Sequence, residues 1–346
     1  MTELPKNLNE VLKKINKTYG ENTVMTLGDQ PPIVGNLLST GSLLIDKALG
    51  GGIGYGRIAE IYGAESSGKS TLCLQLAASC QKNGGRVAYI DVEQALDTNY
   101  AKHLGVNVDD LIFTQPSSGE QALEIVDMLA KSGEINLIIV DSVAALTPQA
   151  ELNGEMTDMT IGLLARLMSK ALRKITATIN EQNCAVVFIN QIREKISTGF
   201  SMGPSETTTG GRALKFFASQ RIELKKTTSI KSGEDVLGVN VKVKVVKNKI
   251  AVPMKTVVVP MIFGEGFSAK GEAIDLAIQY DIIKKQGGWY TLPSGDRIQG
   301  LKNVQDYYSN CQNQLDELTT AVKNKLSGVE FEPEFIVDEN TGEILD

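Results

Sequence analysis

Gly63-Ala64-Glu65-Ser66-Ser67-Gly68-Lys69-Ser70 has the residue types and spacing of a phosphate-binding loop, G-x-x-x-x-G-K-[ST]. Its glycines let the backbone curl until successive N–H groups point at one anion, and Lys69 adds a compact positive charge for the outer phosphates. The hydroxyl of Ser70 suits Mg²⁺. Residues 58–62 read as a strand entering the loop and residues 71–78 as a helix leaving it. The N-terminus of that helix adds free N–H groups and a dipole to the anion site. A glycine-rich turn with no ligand is the competing reading, and a chance match in a chain this long is on the order of one in a hundred. The chain is therefore expected to bind a nucleoside triphosphate through Gly63, Glu65, Ser66, Ser67, Gly68, Lys69, Ser70 and Thr71.

Three strand ends carry groups that could act on that nucleotide. Leu137-Ile138-Ile139-Val140-Asp141 is four apolar residues closed by an acid, which holds Mg²⁺ directly or through its water, alongside Ser70. Asp91 and Glu93 close another strand. Hydrolysis needs a carboxylate that orients or activates water, and Glu93 is the choice; Asp91 can equally cap a helix. Asn190-Gln191 ends a third strand, where a side-chain amide can report the γ-phosphate or be only a polar strand end.

Beyond Gln191, residues 192–212 are rich in Gly, Ser and Thr with little helix or strand signal, and they carry Arg193, Lys195, Phe200 and Arg212. Structureless loops of that length in a compact domain are usually functional or disordered. A second polar stretch, residues 152–159, precedes a helix bearing Arg166, Lys170, Arg173 and Lys174. Two loose loops beside bases suit a polyanion gripped when the nucleotide is bound; lids over the nucleotide are the alternative. Lys247-Asn248-Lys249 ends a strand in which lysines alternate with valines. Alternation suits a solvated face or a defended edge. Clustered lysines also suit a neighbour's phosphates.

These residues need a scaffold, and 346 residues with 42% hydrophobic and 22% charged side chains can bury a large core. Continuous apolar runs at residues 86–91, 137–141 and 185–190, separated by helices near 121–131 and 160–180, predict parallel strands buried on both faces. The fold class is α/β: a P-loop NTPase core with a mostly parallel doubly wound sheet, ligands at the carboxyl ends of its strands. Further strands are expected at 221–226, 239–247 and 254–262. The expected organisation is an N-terminal helix and contact segment (1–36), the core (37–269), a small α+β domain (270–328) and an acidic tail (329–346). The helix carries a stripe from Leu4 through Leu8, Val11, Leu12 and Ile15 to Tyr19, ending at Gly20; it packs on its own domain or on a neighbouring subunit. The third region holds the only tryptophan, Trp289, a hairpin around residues 293–296, and helices near 303–309 and 312–326.

Charge and cysteine content exclude other classes. The net charge of −6 comes from the tail, which holds seven acids and no base and leaves the rest close to neutral. Such a tail competes with a polyanion or merely solubilises. No apolar run reaches a membrane span, the start shows no signal-peptide core, and four unpaired-looking cysteines suit a reducing cytoplasm rather than a zinc ribbon or disulfide frame. Cys73 and Cys80 read as small buried residues, and the lone histidine, His103, removes histidine-based triads.

Taken in order, the phosphate loop, Asp91-Val92-Glu93, residues 137–142, Asn190-Gln191-Ile192-Arg193 and residues 206–216 (Glu-Thr-Thr-Thr-Gly-Gly-Arg-Ala-Leu-Lys-Phe) resemble the bacterial RecA recombinase family over roughly residues 4–328. The Thr-Thr-Thr-Gly-Gly segment is far more specific than the phosphate loop. The resemblance implies a helical filament on single-stranded DNA that pairs it with a homologous duplex, with ATP and Mg²⁺ held between protomers. Glu93 would activate water, with Lys69 and Gln191 at the γ-phosphate and Lys247 and Lys249 reaching the neighbour's ATP. Asp97 and Tyr100 would lie near the adenine. DNA loops would span about 154–162 and 192–209, with DNA-binding positions at Arg166, Arg173, Arg193, Ile196, Phe200, Thr207, Thr208, Gly210, Gly211 and Arg212. The N-terminal stripe and Phe216 would become subunit contacts, the tail a brake on duplex entry, and SOS repressors would be partners in self-cleavage. Gln94 stands where the family's Asp-Ala-Glu-His run has histidine, and the second loop is longer than usual. The alternative on the same core is a ring motor or branch-migration helicase; RadA-like helicases add a Cys₄ module that this chain lacks.

Overall fold

The computed structural model describes residues 5–21, 23–26, 37–155, 162–194, 206–327, 336–337 and 344–345. Residues 1–36 form one unit, in which helix α1 (Lys6–Tyr19) starts after Pro5 and stops at Gly20, whose N–H bonds the Asn16 carbonyl. From Leu8 to Tyr19 the stripe is helical as expected, with Leu8, Val11 and Tyr19 exposed, and Leu4 lies outside the described residues.

The second unit, residues 37–346, opens with a short antiparallel ladder, β1 (Leu37–Leu38) with β2 (Ile53–Gly54), around helix α2 (Leu43–Leu49). Then come β3 (Ile58–Gly63), α3 (Lys69–Lys82), β4 (Val87–Asp91), α4 (Thr98–His103), β5 (Ile112–Thr114), α5 (Gly119–Lys131) and β6 (Leu137–Asp141). A single-turn α6 (Gln149–Leu152) and the long α7 (Leu163–Gln182) lead to β7 (Ala185–Glu194), β8 (Glu206–Thr208) and α8 (Ala213–Phe217). Three long strands follow, β9 (Gln220–Ser232), β10 (Asp235–Asn248) and β11 (Thr256–Ile262), and the short β12 (Gly266–Phe267).

The sheet order is β12-β11-β10-β9-β3-β7-β6-β4-β5. From β5 through β9 every pair is parallel, and β10 to β12 return antiparallel. Side-chain alternation splits the core between two faces. Ala59, Ile61, Val187, Ile139 and Tyr89 pack on the α3 side. Ile58, Val186, Phe188, Ile138 and Val140 pack under α5 and α7. Burial on both faces is why these strands read as unbroken apolar runs.

Two features differ from expectation. Residues 192–194 and 206–208 form an antiparallel ladder with Ile192 opposite Thr208, so the segment beyond Gln191 leaves and returns as a β-ribbon rather than starting as loop. Pairing satisfies backbone groups that an isolated strand extension would leave bare, a long-range gain invisible to local periodicity. The β9 and β10 strands also run longer than 221–226 and 239–247, because their outer, polar halves join through Gly233 at φ 64°.

A third core, under α9 (Ala269–Gln279), collects β13 (Lys284–Gln286), β14 (Trp289–Thr291), β15 (Arg297–Gln299), α10 (Leu301–Asn310) and α11 (Gln312–Ser327) around Ile274, Tyr290, Val304 and Val322. The hairpin expected at residues 293–296 joins β14 to β15. It meets the nucleotide-binding part where α9 packs on α2: Glu272, buried, accepts bonds from Ser42 Oγ at 2.9 Å and from Leu44 N at 3.1 Å. Only the two short strands near 336 and 344 describe the tail, so its acids lie outside the described residues.

Candidate nucleotide and DNA site

Parallel register sets the carboxyl edge. Gly63 of β3 lies beside Gln191 of β7, and Asp91 of β4 beside Asp141 of β6, so groups up to 128 residues apart in sequence converge on the start of α3. Gly63 is needed for close approach rather than for curvature: a Cβ there would sit 2.2 Å from the Leu224 carbonyl of β9. The curl comes from Ser66 and Gly68, at φ 55° and 92°, and Gly68 caps α3. A Cβ on Gly68 would lie 2.7 Å from Met261 Sδ.

A cavity of about 350 Å³ lies over this loop, walled by residues 66–71, by Tyr100 and by Met261-Ile262-Phe263-Gly264 at the end of β11. That volume falls within the range of small-ligand pockets. A larger cavity of about 1220 Å³ runs between α3 and α11 and contains none of the phosphate-loop or strand-end residues, so size alone does not locate the chemistry. Lys69 bends its ammonium to the Ala64 carbonyl at 2.8 Å. Burial pushes that ammonium down from its ordinary range, opposed by the nearby Asp141, Glu93 and Glu65.

Ser70 Oγ donates to Asp141 Oδ2 at 2.8 Å, which puts the two expected Mg²⁺ ligands in contact. The same oxygen accepts the Tyr89 hydroxyl at 2.6 Å. Burial raises the Asp141 carboxyl above its usual value; the Tyr89 and Ser70 bonds pull the other way, and Glu93 and Asp91 add to the rise. A divalent cation beside it would reverse that penalty. Ser67 Oγ is buried without a partner among the described residues. An orphaned hydroxyl, a cationic side chain and a hydroxyl–carboxylate pair around one cavity fit a magnesium nucleotide.

The exposed Glu93 is fixed from two sides. Gln191 Nε2 donates to Glu93 Oε1 at 3.0 Å, and the Ser142 hydroxyl donates to the same oxygen. Its backbone N–H bonds the Asp141 carbonyl at 3.1 Å. Gln191 therefore bridges the carboxylate and the base of the β7–β8 ribbon. Its neighbour Asn190 is fully buried and bonded to Glu60, so of this pair only Gln191 can sense a phosphate. Asp91 caps the following turn at Ala95 N and Leu96 N, which satisfies the capping reading. Tyr100 walls the cavity with its hydroxyl 2.9 Å from Thr71 Oγ1. Asp97 lies off that wall and caps α4 through Asn99 N and Tyr100 N; Glu65 is exposed on the loop.

On the ribbon side, Gly210 and Gly211 are at φ 84° and 77°, and a Cβ on Gly211 would lie 2.8 Å from Ala165 Cβ. That approach docks the returning chain on the start of α7, so exposed Arg212 and exposed Arg166 flank one junction. Arg173 is also exposed on α7, whereas Lys174 is engaged with Asp127 at 2.9 Å. Thr208 faces inward, its hydroxyl buried. Arg193 and Thr207 are ladder partners whose side chains lie outside the described residues, as do Ile196, Phe200 and residues 156–161 and 195–205 of the two loops. Lys249 is exposed, while the Lys247 ammonium donates to the Lys215 and Phe216 carbonyls at 2.7 and 3.0 Å.

Sequence reasoning missed Tyr89, Ser142 and the 261–264 wall. Tyr89 reads as one more apolar strand residue, and the wall comes from the far end of the sheet; only strand register brings them in.

Residues 6–268 match the model of the RecA N-terminal domain and residues 271–327 that of the RecA C-terminal domain. The chain is 51% identical over 322 residues to Protein RecA of Acinetobacter baumannii (strain ATCC 17978), covering 93% of this chain and 92% of that protein. It is 52% identical over 327 residues to Protein RecA of Rickettsia bellii, covering 93% and 95%. For Protein RecA of Campylobacter jejuni subsp. doylei the identity is 50% over 327 residues, covering 94% of each.

Proposed function

Because this chain belongs to the RecA family, a family of DNA-dependent ATPases that recombine DNA, we propose that MgATP is its nucleotide and that Glu93 and Gln191 couple hydrolysis to DNA. As a member it binds DNA, self-associates into filaments, and serves homologous strand exchange, repair and the SOS response. Lys69 and the N–H groups at the start of α3 hold the β- and γ-phosphates. Ser70 and Asp141 hold Mg²⁺, which supplies charge neutralisation at the phosphates. Tyr100 stacks on the adenine, with Asp97 behind it fixing the start of α4. Glu93 orients the attacking water and accepts its proton. Lys247 and Lys249 serve the nucleotide of the neighbouring protomer, whose contact the exposed stripe of α1 and Phe216 extend.

The observation that carries this reading is the Gln191–Glu93 bond at 3.0 Å. With nucleotide bound, the amide of Gln191 can turn to the γ-phosphate, which frees Glu93 for water and moves the base of the ribbon that bears the second DNA loop. Arg166, Arg173, Arg193 and Arg212, with the 154–162 and 192–209 loops, then grip the single strand. ATP binding favours the gripping state and hydrolysis releases it. The same filament assists self-cleavage of SOS repressors, and the reading places it in the cytoplasm with the DNA it acts on. A Cys₄-bearing branch-migration helicase is disfavoured, because Cys73, Cys80 and Cys184 are free thiols buried in the core.

Glu93→Gln tests the assignment. It should retain ATP and DNA binding while turnover falls about a hundredfold or more. Hydrolysis at the parental rate would remove Glu93 from the water-activating role.

A further inference from the structure

A line of buried and half-buried polar side chains crosses the sheet one strand at a time. Glu60 of β3 lies beside Arg221 of β9, and Arg221 is the register partner of Lys247 on β10. On the opposite side Glu60 pairs with Phe188 and Tyr62 with Asn190, so alternation puts Asn190 on Glu60's face, one step nearer the carboxyl edge. Glu60 is 0% exposed. Its Oε2 accepts from Arg221 Nε at 2.5 Å and its Oε1 from Asn190 Nδ2 at 2.9 Å. Asn190 Nδ2 also donates to the Thr209 carbonyl at 3.0 Å, and its Oδ1 accepts the N–H of Gln191 at 2.9 Å. The Arg221 guanidinium lies 4.6 Å from the centroid of the Tyr62 ring, which fixes its plane.

This line has a lysine at one end and the phosphate sensor at the other. Lys247 is pushed below its ordinary range by burial, and next by Lys249 and Arg221, with Glu60 opposing, so the cations and the acid share one local field. Buried ion pairs are often no more stabilising than apolar side chains of equal volume, and their attested use is to fix geometry. An apolar Glu60 would fill the same space yet hold neither Arg221 nor Asn190.

We infer that Glu60 is a positioning residue that mechanically links the Lys247–Arg221 end of the sheet to Gln191 and to the Thr209 carbonyl at the root of the DNA ribbon. A shift of Lys247 toward phosphates of the adjoining protomer moves Arg221, and Glu60 passes that shift through one amide to both the sensor and the ribbon. Nucleotide held in one protomer thereby biases DNA engagement in the next. The inference rests on the reading that Lys247 serves a neighbouring nucleotide.

The test is a double-mutant cycle on the full chain with Glu60→Gln and Lys247→Gln, reading ATP turnover with and without poly(dT). Glu60→Gln should leave turnover without DNA within about twofold of the parental protein and lower the DNA-stimulated increment about tenfold, within the usual range of coupling between sites. In the Lys247→Gln background the same change should do little more, because the link is already broken. Independent, multiplying effects, or an unaffected increment in Glu60→Gln, would overturn the linkage. If Glu60→Gln does not fold by circular dichroism, Asn190→Ala, which leaves the Glu60–Arg221 pair intact, is read by the same criteria. A parental protein with no DNA stimulation would remove the underlying reading and the linkage with it; a stimulated parental protein with an unaffected variant removes the linkage alone.

Discussion

Replacing Glu272 by Gln should flatten the pH dependence of stability between pH 6 and 8. Glu272 sits in the contact of α9 with α2, 2% exposed, and burial raises its carboxyl from 4.5 to about 7, with Asp46 adding to the rise. Ser42 and Leu44 occupy one oxygen, and the other has no partner among the described residues. A carboxyl raised on folding binds more protons in the native state, so its stabilising share is complete below the unfolded value and fades as pH rises through the folded value. The full difference between 4.5 and about 7 corresponds to about 3 kcal/mol, at about 1.4 kcal/mol per unit. Of this, about 1.3 kcal/mol falls between pH 6 and pH 8. Asp46, raised by burial from 3.8 to about 6, acts with the same sign but completes most of its change below that window. Trp289, the only tryptophan, lies on β14 of the same C-terminal region, exposed beneath the Arg297 guanidinium, and reports the unfolding of that region by fluorescence. Urea titrations at pH 6, 7 and 8 should show the parental protein losing about 1.7 kcal/mol and Glu272→Gln only about 0.4, the share that Asp46 keeps. Equal slopes for both proteins would refute the placement of a proton on Glu272.

Two further changes probe the nucleotide cradle. Lys69→Ala should abolish detectable nucleotide binding in a fluorescent-nucleotide titration while the melting temperature without nucleotide stays close to parental, because among the described residues its ammonium bonds the Ala64 carbonyl alone. Tyr89→Phe removes a hydrogen bond that favours ionised Asp141. The Mg²⁺ concentration for half-maximal turnover should rise about tenfold, as expected for one bond to a charged group. An unchanged Mg²⁺ titration would separate Tyr89 from the metal site.

What was legible in the sequence was whatever chemistry is encoded locally. The phosphate loop, the acid closing Leu137–Asp141 and the apolar runs that carry them are contiguous signals, and each sits at a strand end in the structure. Long-range partners left no such trace. Glu60 looks like a lone acid in an apolar strand until β9 delivers Arg221 beside it and β7 delivers Asn190. The ladder at residues 192–194 and 206–208 arises from pairing across the loop, and its strand halves have neither the length nor the alternation to announce it. Asp97, which the resemblance puts near the adenine, also accepts the first-turn N–H groups of α4; capping and ligand contact use the same residue type, so spacing alone does not announce the cap.

DNA engagement and ATP turnover are proposed to meet at the Gln191–Glu93 bond. The most direct test is ATP hydrolysis by the purified protein with and without long poly(dT), at low and moderate salt, in the parental protein and in Gln191→Ala. Strong stimulation by the single strand that weakens with salt is expected in the parental protein, and its loss in Gln191→Ala while nucleotide still binds. Equal hydrolysis with and without DNA across protein concentrations, or undiminished stimulation in Gln191→Ala, would contradict it.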